Sequence, residues 1–140
     1  MQELNMSEKL RLLCVDDETH ILHTLGRFCR NEGIYMLRAA TAAEGLAILE
    51  REPVAIVLSD YQMPGMHGLD FLREVRCCWP QTAGIILSGF IELPAVTQAL
   101  QQGDIFGFLA KPWQRDKLKA LIQAAADHYR TCSCSEGNRS

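Results

Sequence analysis

Three carboxylates and one lysine stand where short apolar runs stop. Asp16 and Asp17 follow Leu12-Leu13-Cys14-Val15, Asp60 follows Ala55-Ile56-Val57-Leu58-Ser59, and Lys111 follows Phe108-Leu109-Ala110. If those runs are parallel strands of one sheet, their ends meet at one edge, where open α/β folds hold their ligands. Carboxylates gathered there repel one another and raise each other's pKa, so such a cluster stays ionised only with a divalent cation or a lysine among them. The chemistry this predicts is a magnesium site built around a reactive aspartate.

Taken singly, each residue has a plainer reading. A strand-end aspartate is commonly just the N-cap of the next helix, Lys111 alone is a solvated lysine, and Ser88 alone is a turn residue. Those readings account for one carboxylate, not for three with a lysine. The six cysteines do not change the picture. Cys14 and Cys29 sit in apolar runs and read as small core hydrophobes. The adjacent Cys77 and Cys78, and Cys132 with Cys134, lack the C-x2-C spacing of structural zinc sites. His20 and His23 share a helix face at i,i+3 without further ligands, and read as solvent-facing.

The elements that must position these groups follow from hydrophobic period. Strands are predicted near Arg11 to Val15, Tyr35 to Ala39, Ala55 to Ser59, Gly84 to Ser88 and Phe106 to Ala110. Between them, Ile21, Leu22, Leu25, Phe28 and Cys29 mark one helical face; Ala43, Leu46, Ala47 and Leu49 a second; Leu69, Phe71, Leu72 and Val75 a third. A fourth helix spans about Leu93 to Gln102, and a fifth, Asp116 to Tyr129, carries Leu118, Leu121, Ile122 and Ala125. Thr41 with Glu44 forms a capping box, and Gly33 and Gly103 fall at C′ positions. Apolar strands alternating with helices imply an α/β (βα)5 three-layer sandwich of the flavodoxin type. A five-stranded parallel sheet with the strand order of that fold type, 2-1-3-4-5, is expected. One domain is expected over residues 9–129, with an N-terminal extension at 1–8 and an aperiodic, flexible tail or truncated linker at 130–140.

Composition narrows the function classes. A chain of 140 residues buries roughly two-thirds of its unfolded surface, enough for one self-sufficient core. With 14 Lys+Arg against 17 Asp+Glu, nothing attracts nucleic acid or anionic lipid over distance, so neither is an expected partner. The opening residues lack a signal-peptide pattern and no apolar run approaches the ~20 residues of a membrane span; a soluble cytoplasmic protein is expected.

Four segments then carry a family resemblance. Cys14-Val15-Asp16-Asp17-Glu18, Leu58 to Gly68 with Asp60-Tyr61-Gln62-Met63-Pro64-Gly65-Met66 at its centre, Ile86-Leu87-Ser88-Gly89-Phe90, and Phe108-Leu109-Ala110-Lys111-Pro112-Trp113 resemble, in order and spacing, the signatures of the response-regulator receiver (CheY-like) domain of two-component signalling. The variants look most like receivers attached to hydrogenase-type regulators or HD-type phosphodiesterase outputs. The resemblance implies that Asp60 is the phosphoacceptor, taking a phosphoryl group from a sensor histidine kinase or phosphotransfer protein. It also implies Mg²⁺ on Asp16, Asp17, Asp60 and the backbone carbonyl of Gln62. Lys111 would contact Asp60 at rest and a phosphoryl oxygen afterwards, while Ser88 donates a hydroxyl bond to another. Ser88 and Phe108 are the implied switch pair, read out on the surface of the fourth helix, fifth strand and fifth helix, where a homodimer or partner docks. The Lys111–Pro112 bond is usually cis in this family, and Trp113 is expected to pack under the fifth helix. Such a chain catalyses only its own phosphorylation and dephosphorylation. No output domain is recognisable beside it.

The sequence departs from the family pattern at three places: Ser88 replaces the commoner threonine, His67 replaces an acidic or polar residue, and Gln62 and Phe90 flank the path of attacking water. Three rival readings each account for part of this pattern. A flavin carrier needs a hydroxyl- and glycine-rich loop where Asp16-Asp17-Glu18 stands. An aspartyl-phosphate hydrolase has its nucleophile after the first strand, not its acidic pair. A phosphate-independent docking or dimerisation module with the same fold would not need the acceptor, acidic pair, hydroxyl and lysine that are all present.

Overall fold

The computed structural model describes residues 10–63, 65–89 and 93–139, with side chains described over 10–63, 65–89 and 94–131. Elements run β1 (Arg11–Val15), α1 (Thr19–Asn31), β2 (Tyr35–Ala39), α2 (Ala42–Arg51), β3 (Ile56–Asp60), β4 (Gln62–Met63), β5 (Met66–His67), α3 (Gly68–Cys78), β6 (Ala83–Ser88), α4 (Leu93–Gln102), β7 (Gly107–Ala110) and α5 (Arg115–Arg139). The main sheet is parallel with order β2-β1-β3-β6-β7. β4 and β5 pair separately as a small antiparallel hairpin. With that hairpin set aside, the five main strands keep the 2-1-3-4-5 order expected from the sequence.

Strand side chains alternate between faces, and each face feeds its own core. Leu13, Val15, Val57 and Ile86 pack with Leu49, Phe71, Leu72, Val75 and Val96 under α2, α3 and α4. Leu12, Cys14, Ile56, Leu58, Ile85 and Leu87 pack with Leu25, Phe28, Leu118 and Ile122 under α1 and α5. Phe71 is the largest of the fully buried side chains, and a burial of this kind is worth about 1.5–3 kcal/mol. Cys14 and Cys29 are core residues; burial pushes both thiols up, Cys29 to about 12, which keeps them protonated. Trp113 packs against the α1–α5 core, and His20 and His23 face solvent.

Local signals act as anticipated at several boundaries. The Glu44 N–H donates to Thr41 Oγ1 at 3.1 Å, while the Glu44 carboxylate takes the N–H of Ala40, one residue before the cap, at 2.8 Å. Gly33 and Gly103 close α1 and α4 with φ of 70° and 81°.

Four features differ from the sequence reading. Helix α2 buries Ala42, Gly45 and Leu49 and leaves Ala43 and Ala47 exposed. Its bare Gly45 lets the helix settle on Val15 and Phe71, which would lie 3.0 and 3.1 Å from a Cβ there. β3 runs one residue further than predicted, so Asp60 still pairs with Leu87. The hairpin β4–β5 was not foreseen, because each strand is too short to show a period. Finally, the backbone of α5 is helical through Arg139, beyond Tyr129, where the helical pattern in the sequence stops. The side chains of Cys132 and Cys134, and the residues Pro64 and Phe90, lie outside the described set. Among the described residues, no helix is long and apolar enough to cross a membrane.

Candidate functional site

The C-terminal ends of β1, β3, β6 and β7 bring the predicted groups to one edge. Asp16 follows β1 and its N–H donates to the Ala39 carbonyl at 3.0 Å, continuing the ladder to β2. Its side chain is fully buried. Oδ1 accepts the Glu18 N–H at 2.9 Å, but the equally buried Oδ2 has no hydrogen-bond partner. Asp17 is exposed beside it, and one carboxylate oxygen from each of Asp16, Asp17 and Asp60 falls within 4.8 Å of the others.

Asp60 closes β3, half-buried, with Oδ1 accepting the Tyr61 N–H at 2.9 Å and the Lys111 ammonium at 2.9 Å. Lys111 follows β7 and is anchored through its own N–H to the Ser88 carbonyl at 2.7 Å. Its Nζ also lies 3.8 Å from Asp16 Oδ2 and 3.7 Å from Glu18 Oε1. The Lys111–Pro112 bond is cis. Ser88 ends β6, is almost wholly buried, and its Oγ has no partner. Phe108 pairs with Ile86 on β6, so by strand alternation it shares a face with Ser88; it is half-buried against the α2–α4 core. Gln62 opens β4, two residues beyond Asp60, with its side chain exposed. His67 is exposed at the hairpin's end, edge-on to Tyr61 at 5.3 Å between ring centroids.

Charge is unevenly balanced here. Burial raises the Asp16 pKa and the Asp60 charge adds to it, against the Glu18 N–H and Lys111, which lower it. Burial works against the Lys111 ammonium, yet its hydrogen bond to Asp60 and the charges of Asp60, Asp16 and Glu18 outweigh that and raise its pKa. One ammonium thus serves more carboxylates than it can neutralise. A cation set between Asp16, Asp17 and Asp60 would satisfy the orphaned Asp16 oxygen, and an all-oxygen donor set suits a hard divalent ion. The residues therefore fit a metal.

Sequence reasoning overlooked two partners and one spacing. Glu18 reaches Lys111, for which the run of acids at 16–18 was the available signal. The Tyr61 amide, being backbone, has none. Gly68 donates its N–H to the Tyr61 carbonyl at 2.7 Å, and a Cβ on it would overlap the Asp60 carbonyl oxygen. Only glycine lets α3 begin this close to Asp60.

Comparison with known proteins agrees with this geometry. The family model described as the response regulator receiver domain matches residues 12–123. The hydrogenase transcriptional regulatory protein HoxA of Cupriavidus necator is 35% identical over 87% of this chain and 25% of its own length. The transcriptional regulatory protein GlrR of Escherichia coli is 38% identical over 87% of this chain and 28% of its own. The chain therefore spans about a quarter of the length of these relatives. Among solved structures, a response regulator receiver domain protein from Clostridium thermocellum superposes with a TM-score of 0.82 at 30% identity, covering 88% of this chain and 98% of that one. Its fold, its clustered strand-end carboxylates and these matches together place the chain in the response-regulator receiver domain family.

Proposed function

We propose that the chain accepts a phosphoryl group on Asp60, from a phosphohistidine of a sensor histidine kinase or phosphotransfer protein, or from a small phosphodonor. The observation that carries this reading is the Lys111 ammonium 2.9 Å from Asp60 Oδ1, beside a buried Asp16 oxygen that lacks a partner. The Asp60 carboxylate attacks phosphorus as the P–N bond breaks; its electron pair goes to the imidazole, which leaves neutral when its other nitrogen carries a proton. Tyr61 N–H and Lys111 hold the carboxylate in place, and positioning with charge neutralisation is most of what phosphoryl transfer needs. Asp16, Asp17, Asp60 and the Gln62 backbone carbonyl are the oxygens that would hold Mg²⁺, which when bound neutralises carboxylate and phosphoryl charge.

Lys111 follows the negative charge from carboxylate to phosphoryl oxygen. The unpartnered Ser88 hydroxyl donates to a second phosphoryl oxygen. That inward turn vacates space that Phe108, on the same sheet face, fills, biasing a two-state surface on α4, β7 and α5. A partner or a second copy docks there. Likeness to HoxA and GlrR supports an output in transcription. Beyond its own phosphorylation and dephosphorylation the chain performs no catalysis.

Incubation with acetyl phosphate and Mg²⁺ followed by intact-mass measurement tests the assignment. The mass of one phosphoryl group is expected on the wild type and is absent in Asp60→Asn and after chelation; an adduct that persists in Asp60→Asn overturns it.

A further inference from the structure

Residue 18 opens helix α1 as its N-cap, a position that favours serine, threonine, aspartate or asparagine because their short side chains reach a free backbone N–H. Glu18 holds that position instead, and its side chain makes no capping bond. The carboxylate turns the other way, to 3.7 Å from Lys111 Nζ. Its backbone N–H meanwhile donates to Asp16 Oδ1 at 2.9 Å. The residue thus forgoes a local helix bond and faces the lysine of the site.

A plainer reading makes Glu18 a surface acid at the positive end of the α1 dipole, in an exposed ion pair that contributes little to stability. Its side chain is 60% exposed and that of Lys111 24%. That reading leaves the charges at the site unexplained. Among the described residues, Lys111 faces Asp60 at 2.9 Å, Asp16 at 3.8 Å and Glu18 at 3.7 Å. Asp16 and Asp60 belong with Asp17 to the group whose oxygens could share one cation, and Glu18 does not. A divalent ion there draws on the same oxygens that the ammonium faces, and it repels the ammonium itself. Glu18 is then the carboxylate beside Lys111 that neither the ion nor a phosphoryl group takes.

We propose that Glu18 is the positioning residue of Lys111 when a cation is bound: its carboxylate holds the ammonium at the rim of the site, so that lysine and divalent ion occupy the cluster together. This role rests on the cation and phosphoryl reading of the site given above. It requires a charge rather than a shape, so removing that charge has opposite effects on the two ligands. The cation is left beside an ammonium without its counter-charge and binds less well. A phosphoryl-like anion meets an ammonium with one competitor fewer and binds as well or better. Damage to the fold would weaken both.

Titration of the whole chain with Mg²⁺ in the absence of any phosphodonor, read at the Asp17 and Gln62 amides by ¹H–¹⁵N NMR, tests this. Glu18→Gln should weaken Mg²⁺ binding about three- to tenfold at low ionic strength, with the gap closing in high salt. Glu18→Asp, which keeps the charge, should stay nearer to wild type than to Glu18→Gln. Glu18→Ser supplies a capping hydroxyl; it should melt no lower than wild type in chelator and still lose Mg²⁺ affinity, a pair of results that a role in starting the helix would not produce. At saturating Mg²⁺, beryllofluoride should bind Glu18→Gln at least as tightly as wild type. The proposal is overturned by unchanged Mg²⁺ affinity in Glu18→Gln, by Glu18→Asp binding as weakly as Glu18→Gln, by Glu18→Ser melting lower, by loss of cation and anion together, or by a wild type that takes no Mg²⁺. Beryllofluoride that fails to bind the wild type refutes the phosphoacceptor reading instead, and the Mg²⁺ series still decides the role of Glu18.

Discussion

The two ends of the sheet treat buried polar groups in opposite ways. At the end where β6 begins, Thr82 is buried and its hydroxyl donates to the Val54 carbonyl at 2.7 Å. At the end where the strands finish, Asp16 Oδ2 and Ser88 Oγ are more deeply buried and have no partner. A buried polar group without a hydrogen bond is destabilising, so the first end is built for stability and the second keeps unspent bonding capacity for something that binds there. Arg11, also near the beginning of the sheet, is intermediate: its Nε lacks a hydrogen bond but faces Glu52 Oε1 at 3.6 Å.

The contrast rests on a shared core, and breaking that core gives the largest effect. Phe71→Ala should cost about 3–5 kcal/mol in denaturant unfolding, because the ring is wholly buried beneath α2 and α3. Thr82→Val should cost about 1–3 kcal/mol, since it strands the Val54 carbonyl, and should leave phosphoryl uptake from acetyl phosphate unchanged. Ser88→Ala sharpens the contrast by reversing that pattern. Removing a hydroxyl that has no partner should leave unfolding nearly neutral, while uptake slows by about tenfold or more as one donor to the phosphoryl group is lost. Equal stability losses in Thr82→Val and Ser88→Ala would erase the distinction between the two ends.

A smaller effect of opposite sign is expected from Asp16→Asn. Because the folded pKa of Asp16 is raised above its ordinary value, the folded state holds that proton more tightly than the unfolded chain does, and stability falls as pH rises through the interval between the two values. Well below about pH 4 the carboxyl is protonated in both states and the penalty is absent. Thermal melts in chelator should therefore show Asp16→Asn gaining on the wild type as pH rises from 4 to 7, and added Mg²⁺ should stabilise only the wild type. A variant melting lower than wild type at pH 7 in chelator would contradict this account of the buried carboxyl.

Much of this was legible in the residues. Runs such as Leu12–Val15 and Gly84–Ser88 state a strand outright, and four groups at successive strand ends imply one edge. What the sequence could not show was distance. The face of α2 turned on Gly45, whose lack of a side chain scores as no hydrophobicity at all, although it sets how closely the helix approaches Val15 and Phe71. The hairpin between Gln62 and His67 is too brief for any period. Gly68 stands in the sequence only as the end of the Leu58–Gly68 segment, its nearness to the Asp60 carbonyl being a matter of the fold, and Glu18 and the Tyr61 amide entered the site only through folded geometry.

The central claim is that the end of the sheet with unpartnered polar atoms is completed by a cation and a phosphoryl group on Asp60. A crystal structure grown with Mg²⁺ and beryllofluoride tests it most directly. The account predicts beryllium on Asp60, the cation among Asp16, Asp17 and Asp60, and the Ser88 hydroxyl and Lys111 ammonium turned onto fluorine atoms. An unmodified Asp60 still bonded to Lys111, with Ser88 unmoved and no ion beside Asp16, would contradict it.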